Sequence, residues 1–329
     1  MKNKNTIIIL GLIILGLSAK VLIEKASNPV NISKSHPVVD IEHWCKLFPI
    51  EVFEKKEGPR HFDSTESGDS LDLWKAQGCF LNGPKDVACI EQVRRRVRGK
   101  HSLGRAVPVD IFIWAKGSAR YPYLTKVGGV PYREADLPWP KDKNGKPYTF
   151  VAQWCFLDSR DIVSSRLGGD ILLMFFRDAE SYFDDDGVYF EWSVEKLQKP
   201  MSMRDVPPAS FPVPEMAGQI WRTEEYPDAI DIFEKEGHYE PWLFATTQST
   251  KIGRTTWYIQ QDPTKPGEEL LCTFNSFQLA DTWPFVNIAD LKAMTEKQRE
   301  LSEIMLGDVG TLYVLIDQRG HVRYVADCY

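Results

Sequence analysis

Apolar and polar positions change rhythm twice along this chain. Residues 7–19 are apolar and carry no charge, and they follow Lys2 and Lys4. Short helical spacings come next: Ile41, Trp44 and Leu47, then residues 72–77, then Val87, Ile90, Val93 and Val97 along one face. From Pro108 the pattern turns to alternation and to brief continuous runs of β-branched and aromatic residues. Residues 109–114, 148–156 and 169–176 predict strands, as do residues 270–274 and 310–317. Residues 182–192 place the acidic turn Asp184-Asp185-Asp186-Gly187 between two aromatic segments, which predicts a hairpin. The proline-dense residues 201–216 predict an extended connection between two halves. Residues 224–237 predict an acidic helix, and residues 289–306 a longer one with Asp290 near its start and Gly307 as its stop.

Residues 125–156 form the densest stretch of turn chemistry. Gly128-Gly129 tolerate backbone angles that a Cβ forbids. Leu137-Pro138-Trp139-Pro140 is a stiff apolar hook whose prolines donate no backbone hydrogen bond. Asn144-Gly145 is a turn signal, and an aromatic strand follows it. These residues either line a ligand groove or shape a corner of the fold.

Composition places this pattern in a compartment. The chain has 329 residues, 43% of them hydrophobic, and a net charge of −6. Such a chain has enough apolar residues for a sizeable core. A positive start before an apolar segment is the pattern of export. Residues 1–25 are expected to be an uncleaved single-pass anchor, with a cleaved signal peptide as the alternative, and residues 26–39 a polar tether. Those first 25 residues hold four lysines and one glutamate, so the remainder stands near −9. That acidity argues against nucleic acid as a partner. The basic run at residues 93–100 reads as a solvated face, with a site for an acidic partner as the alternative.

Six cysteines in an exported chain permit disulfides. Cys79 and Cys89 flank the Gly83-Pro84 turn and are the expected bridge, whereas Cys155 is either a bridge partner or a buried thiol. No CxxC spacing occurs, so no metal or other cofactor is expected. Residues 184–187 lack the alternating ligands of a calcium loop and read as a plain turn.

The chain also repeats itself. Thr125-Lys126-Val127-Gly128 is answered by Thr250-Lys251-Ile252-Gly253, and each is followed by a glycine turn and two apolar strands. Lys126-Val127-Gly128-Gly129-Val130-Pro131, Trp139-Pro140 and Phe150-Val151-Ala152-Gln153 resemble the opening motif of the YwqG-like family, a bacterial domain of unknown function. Lys251-Ile252-Gly253 with Tyr258-Ile259-Gln260, and residues 307–313, are similar to its later motifs. The chain departs from the family where Arg254-Thr255-Thr256 replaces a further glycine and proline. The resemblance implies an α+β, β-rich fold with a duplicated pseudo-twofold domain at residues 106–329. Its halves would be about 106–200 and 217–329, with a small helical, disulfide-prone region at 40–105 in front. It implies no established activity. Members resemble proteins found with bacterial toxin and immunity systems, which implies a binding role.

No nucleophile motif, phosphate loop or dinucleotide fingerprint is present, and the six histidines are scattered. The expectation is therefore a tethered binding protein outside the cytoplasm, immunity-like, with a basic protein partner, rather than an enzyme. The alternative is an exported hydrolase or carbohydrate-active enzyme using Asp308, Asp281, Glu240 or His238. The candidates for a ligand groove are Gly128, Gly129, Trp139, Gln153, Lys251, Gly253 and Asp308.

Overall fold

A computed structural model describes residues 35–47, 84–99, 102–163, 166–229, 231, 249–276, 304–308 and 310–328. The chain divides into Met1–Ser35 and His36–Tyr329, and the architecture below is that of the second unit. The expected leader at residues 1–25, the 72–77 helix and most of the 289–306 helix lie outside the described residues. No helix among the described residues is long and apolar enough to cross a membrane.

Two α-helices are described, α1 (Ile41–Leu47) and α2 (Pro84–Val97). Asp40 caps the first, its carboxylate accepting the His43 N–H at 3.0 Å. Pro84 opens the second, where its missing N–H costs nothing. Trp44, Val87, Ala88 and Ile90 pack on Val109, Ile111, Ile113 and Trp221, so the helices cover one outer patch of a sheet.

The sheet has ten strands: β1 (Val107–Lys116), β2 (Lys126–Val127), β3 (Thr149–Cys155), β4 (Ile171–Phe176), β5 (Val188–Ser193), β6 (Met216–Glu225), β7 (Lys251–Ile252), β8 (Glu269–Asn275), β9 (Thr311–Ile316) and β10 (Val322–Asp327). Their order across the sheet is β10-β9-β8-β7-β1-β6-β2-β3-β4-β5. Every pairing is antiparallel. At the centre β1 and β6 pair along their whole lengths, with Val107 opposite Glu225 and Lys116 opposite Met216. The other neighbour of β1 is β7, and that of β6 is β2. The opening strand of each run of five thus lies beside the short second strand of the other run.

The two threonine-lysine segments make the same bonds. Thr125 Oγ1 accepts the Cys155 N–H at 2.9 Å, and Thr250 Oγ1 accepts the Asn275 N–H at 3.1 Å. The Thr125 carbonyl accepts the Gly218 N–H at 3.0 Å, as the Thr250 carbonyl accepts the Phe112 N–H at 2.9 Å. Both β3 and β8 carry an irregularity, at 150/152 and 270/272. A bulge turns two neighbours to one face. Here it sends Val151 with Ala152, and Leu271 with Cys272, into the same core.

That core is the concave side of the sheet. Phe112, Trp114, Trp154, Leu172, Met174, Phe274, Leu312 and Val314 meet there, and Trp154 stands edge-on to Phe274 at 5.8 Å. Ile171, Leu173 and Phe175 face outward beneath the 119–150 loop. The sheet curls far enough for its two edges to face each other. The Val188 N–H of β5 donates to the Tyr324 hydroxyl of β10 at 3.2 Å.

Three expectations need correction. The acidic turn does lie in a hairpin, but the first arm is β4 and not an aromatic strand at 182–183, since residues 181–183 form a short 3-10 turn. Residues 224 and 225 end a strand rather than start a helix, and the central strand β6 has no counterpart among the predicted elements. Its sequence MAGQIWRTEE alternates in burial, but glycine and charged residues dilute the hydrophobic signal. The described cysteines Cys45, Cys155, Cys272 and Cys328 are free thiols. The expected Cys79–Cys89 bridge lies outside the described side chains.

Candidate functional site

The seam between β5 and β10 holds a cavity of about 670 Å³. Its walls come from β5 (Val188, Tyr189, Phe190), β10 (Val322 to Ala326), the 182–185 turn and Lys265. Phe183 is 52% exposed and Tyr189 42%, large apolar surface for adjacent walls of one cleft. Tyr324 crosses the cleft. Its ring centroid lies 6.1 Å from that of Phe190, and its hydroxyl donates to the Asp184 carbonyl while accepting the Val188 N–H. Burial, together with the nearby Asp185 and Asp184 carboxylates, holds the Tyr324 phenol above its ordinary value.

The acidic turn beside this cleft is organised by one arginine. Arg177 binds Asp178, Asp184 and Asp186, so those carboxylates are engaged within the protein. Arg323 is held by Glu268 at 2.5 Å and by the Pro263 carbonyl at 2.6 Å. Asp185 and Lys265 make no ion pair among the described residues, and both line the cleft. Among the described residues no group of three His, Cys, Asp or Glu side chains is placed to hold a metal ion.

The groove candidates from the sequence lie elsewhere. Gly128 and Gln153 come close, since β2 pairs with β3 and the Gly128 N–H donates to the Val151 carbonyl at 2.8 Å. Gln153 is fully buried and spent on loop backbone: it accepts the Tyr132 N–H at 3.0 Å and donates to the Pro122 and Leu124 carbonyls, each at 2.9 Å. Gly129 abuts the Glu215 carboxylate. Trp139 donates to the Tyr148 carbonyl at 2.7 Å and stands edge-on to Phe175, as a strut for the hook. Lys251 is buried against Glu225, Gly253 packs on Val109, and Asp308 is exposed on a turn. Asp281, Glu240 and His238 lie outside the described residues.

Two buried networks went unread in the sequence. Arg133, 1% exposed, binds both Glu191 carboxylate oxygens at 2.8 and 2.9 Å, and also the Leu137 and Pro138 carbonyls. His36 Nδ1 lies 2.7 Å from Asp158 Oδ2, and its Nε2 accepts the Thr125 N–H at 2.9 Å, which fixes the proton on Nδ1. Beside it Asp110, fully buried, takes two bonds from Arg222 and one from Ser159. The charged partners lie tens of residues apart, and no local motif announces them.

The described residues make a β-rich domain whose buried Arg133, Asp110 and Lys251 are paired and whose sheet edges border an open cleft. The family described as Domain of unknown function (DUF1963) matches residues 125–320, more than half of the chain. The chain belongs to that family, the one its YwqG-like motifs resemble. No curated protein matches the chain. Strand β1 precedes the matched span yet occupies the centre of the sheet.

Proposed function

We propose that this chain is an exported, membrane-tethered binding protein that engages a protein partner through the seam between β5 and β10, in an immunity-like role. The observation that carries this reading is the cleft itself: two sheet edges face each other across about 670 Å³, walled by exposed aromatic side chains. The buried charges of Arg133, Asp110 and Lys251 are paired within the protein, which suits a scaffold. The pattern of residues 1–25 supports export and tethering.

We further propose that the domain is a duplication about a pseudo-twofold axis. The equivalent roles of Thr125 and Thr250, the paired bulges in β3 and β8, and the reciprocal placement of β2 and β7 support it.

The test is cross-linking of the tagged full chain in native membranes, with wild type and Asp185→Lys compared by mass spectrometry. One stoichiometric partner, lost in the variant, is expected. Partner capture indifferent to the cleft would place binding elsewhere, and a clean protein would sink the binding role. Protease treatment of intact cells checks the tether: residues 36–329 should be digested while the cytoplasm stays protected.

A further inference from the structure

Resting on the protein-binding reading above, we infer that the seam accepts an extended segment of the partner as an eleventh strand, bonded to β5 on one side and β10 on the other.

The phase of each edge strand follows from its last bond inward. The Arg177 N–H donates to the Gly187 carbonyl at 2.9 Å, and the Asp317 N–H to the His321 carbonyl at 3.0 Å. In an antiparallel ladder every second residue turns its N–H and C=O toward one neighbour, and the residues between turn theirs away. Val188, Phe190 and Trp192 of β5, and Val322, Tyr324 and Ala326 of β10, therefore direct their backbone into the seam. The bond from the Val188 N–H to the Tyr324 hydroxyl, at 3.2 Å, agrees with that phase. It also shows an edge donor capped by a side chain in place of a strand.

The two edges are not paired to each other. Directly paired strands lie about 4.8 Å apart, which leaves no room for a ring between their backbones. Here the Tyr324 ring stands in the gap, and no backbone bond joins β5 to β10 among the described residues. Because ten antiparallel strands alternate in direction, β5 and β10 run opposite ways, so an added strand lies parallel to one and antiparallel to the other. Unpaired edges are ready templates for a further strand, and main-chain bonds then supply affinity while side-chain pockets supply specificity.

The lining names the occupant's chemistry. Phe183, Tyr189, Phe190, Val322 and Val325 favour alternating apolar or β-branched side chains. The charges left over are Asp185 and Lys265, which match one basic and one acidic side chain on the same segment. The occupant is thus a partner's extended segment of about six residues, the usual length of a strand.

The experiment uses the full chain in detergent and a fluorescein-labelled eight-residue probe peptide, with Val and Thr alternating between a terminal Lys and a terminal Glu. A second peptide carries N-methyl groups on alternate amides. Saturable binding is expected, with hydrogen exchange slowed at the Phe190, Trp192 and Ala326 amides, and at least tenfold weaker binding of the methylated peptide. Ala326→Pro removes one seam-facing N–H, and proline is tolerated on an edge whose N–H faces outward, so a tenfold loss with an unchanged melting curve is expected. Asp185→Lys gives an independent check without touching the backbone. Equal binding of both peptides, or unchanged exchange at those amides, overturns the strand. So does a dimer that these same variants dissociate, because a second copy is then the occupant. If the cross-linked partner survives Ala326→Pro, only the added strand falls; if neither partner nor peptide binds, the binding role falls with it.

Discussion

Lys251 Nζ lies 2.7 and 2.9 Å from the two carboxylate oxygens of Glu225, and both side chains are fully buried. Thr255, one of the residues by which the chain departs from its family's pattern, donates its hydroxyl to the same carboxylate at 2.8 Å. Burial pulls the Lys251 amine below its ordinary value, and Glu225 works against that pull. A pair of this kind is worth little net, yet breaking it strands a charge in the interior. Lys251→Met or Glu225→Gln should each cost about 3–5 kcal/mol in urea denaturation, whereas Lys251→Met combined with Glu225→Leu should recover most of the loss.

Lys126 holds the matching position in the other run, but among the described residues its amine has one hydrogen bond, to the Val130 carbonyl at 2.5 Å. Desolvation brings it down to about 8 from an ordinary 10.5, against the pull of Glu215. Below pH 8 the folded and unfolded chains both hold this proton, and the penalty for burying the charge is fully present. Between pH 8 and 10.5 the unfolded chain binds more protons, so this group's contribution to stability rises with pH. The gain is on the order of 3 kcal/mol once complete. Buried thiols act in the opposite sense above pH 9, so the readout is the difference in denaturation midpoint between wild type and Lys126→Met from pH 7 to 10. A flat difference would refute the assignment.

Cys155 and Cys272 sit inside β3 and β8, and burial pushes the Cys155 thiol up to about 12 and the Cys272 thiol well above its ordinary value. Thiolates are the reactive form, so iodoacetamide at pH 8 should label Cys45 and Cys328, which are partly exposed, well before either of them. Peptide mapping of a time course checks the order. Early labelling of Cys272 would show that the core opens locally.

Gly128 and Gly253 end the two repeated motifs but carry different demands. Gly128 has φ 63°, and a Cβ there would stand 2.4 Å from the Pro214 carbonyl oxygen. Gly253 has no positive φ, and its nearest obstacle is a Val109 methyl at 2.9 Å, which can shift. Gly128→Ala should therefore cost at least about 2 kcal/mol more than Gly253→Ala by denaturant melt.

Arg133 ties the 137–140 hook to β5. Arg133→Ala leaves Glu191 and two loop carbonyls without their donor and should cost about 3–5 kcal/mol. Arg133→Lys should restore less than half of that, because an ammonium cannot span both carboxylate oxygens and both carbonyls. Thermal melts of the two variants decide it.

Strands with continuous apolar runs were legible in advance: β3, β4 and β9 fall within a residue or two of the spans that β-branched and aromatic residues predict. The two segments that share threonine, lysine and glycine make matching bonds in the sheet. β6 was hidden, because Gly218, Arg222 and Glu224 interrupt its alternation and its identity as a strand comes from pairing with β1. The seam was hidden for the same reason. It forms where residues 188–193 and 322–327 meet, and nothing in either segment foretells its distant partner. Glycines and a tryptophan drew attention to corners, whereas the open chemistry lies at edges.

The crossed placement of β2 beside β6 and β7 beside β1 has one more consequence. The opening strand of each run of five finds its neighbours in the other run, so each run is expected to need the other in order to fold. The connector at residues 201–214 is mostly exposed and joins the two runs. Cleaved there, the chain should yield two fragments that gain structure only when mixed, which circular dichroism of the separate and combined pieces would show. That is the behaviour of a split reporter, in which assembly of the two pieces is itself the signal.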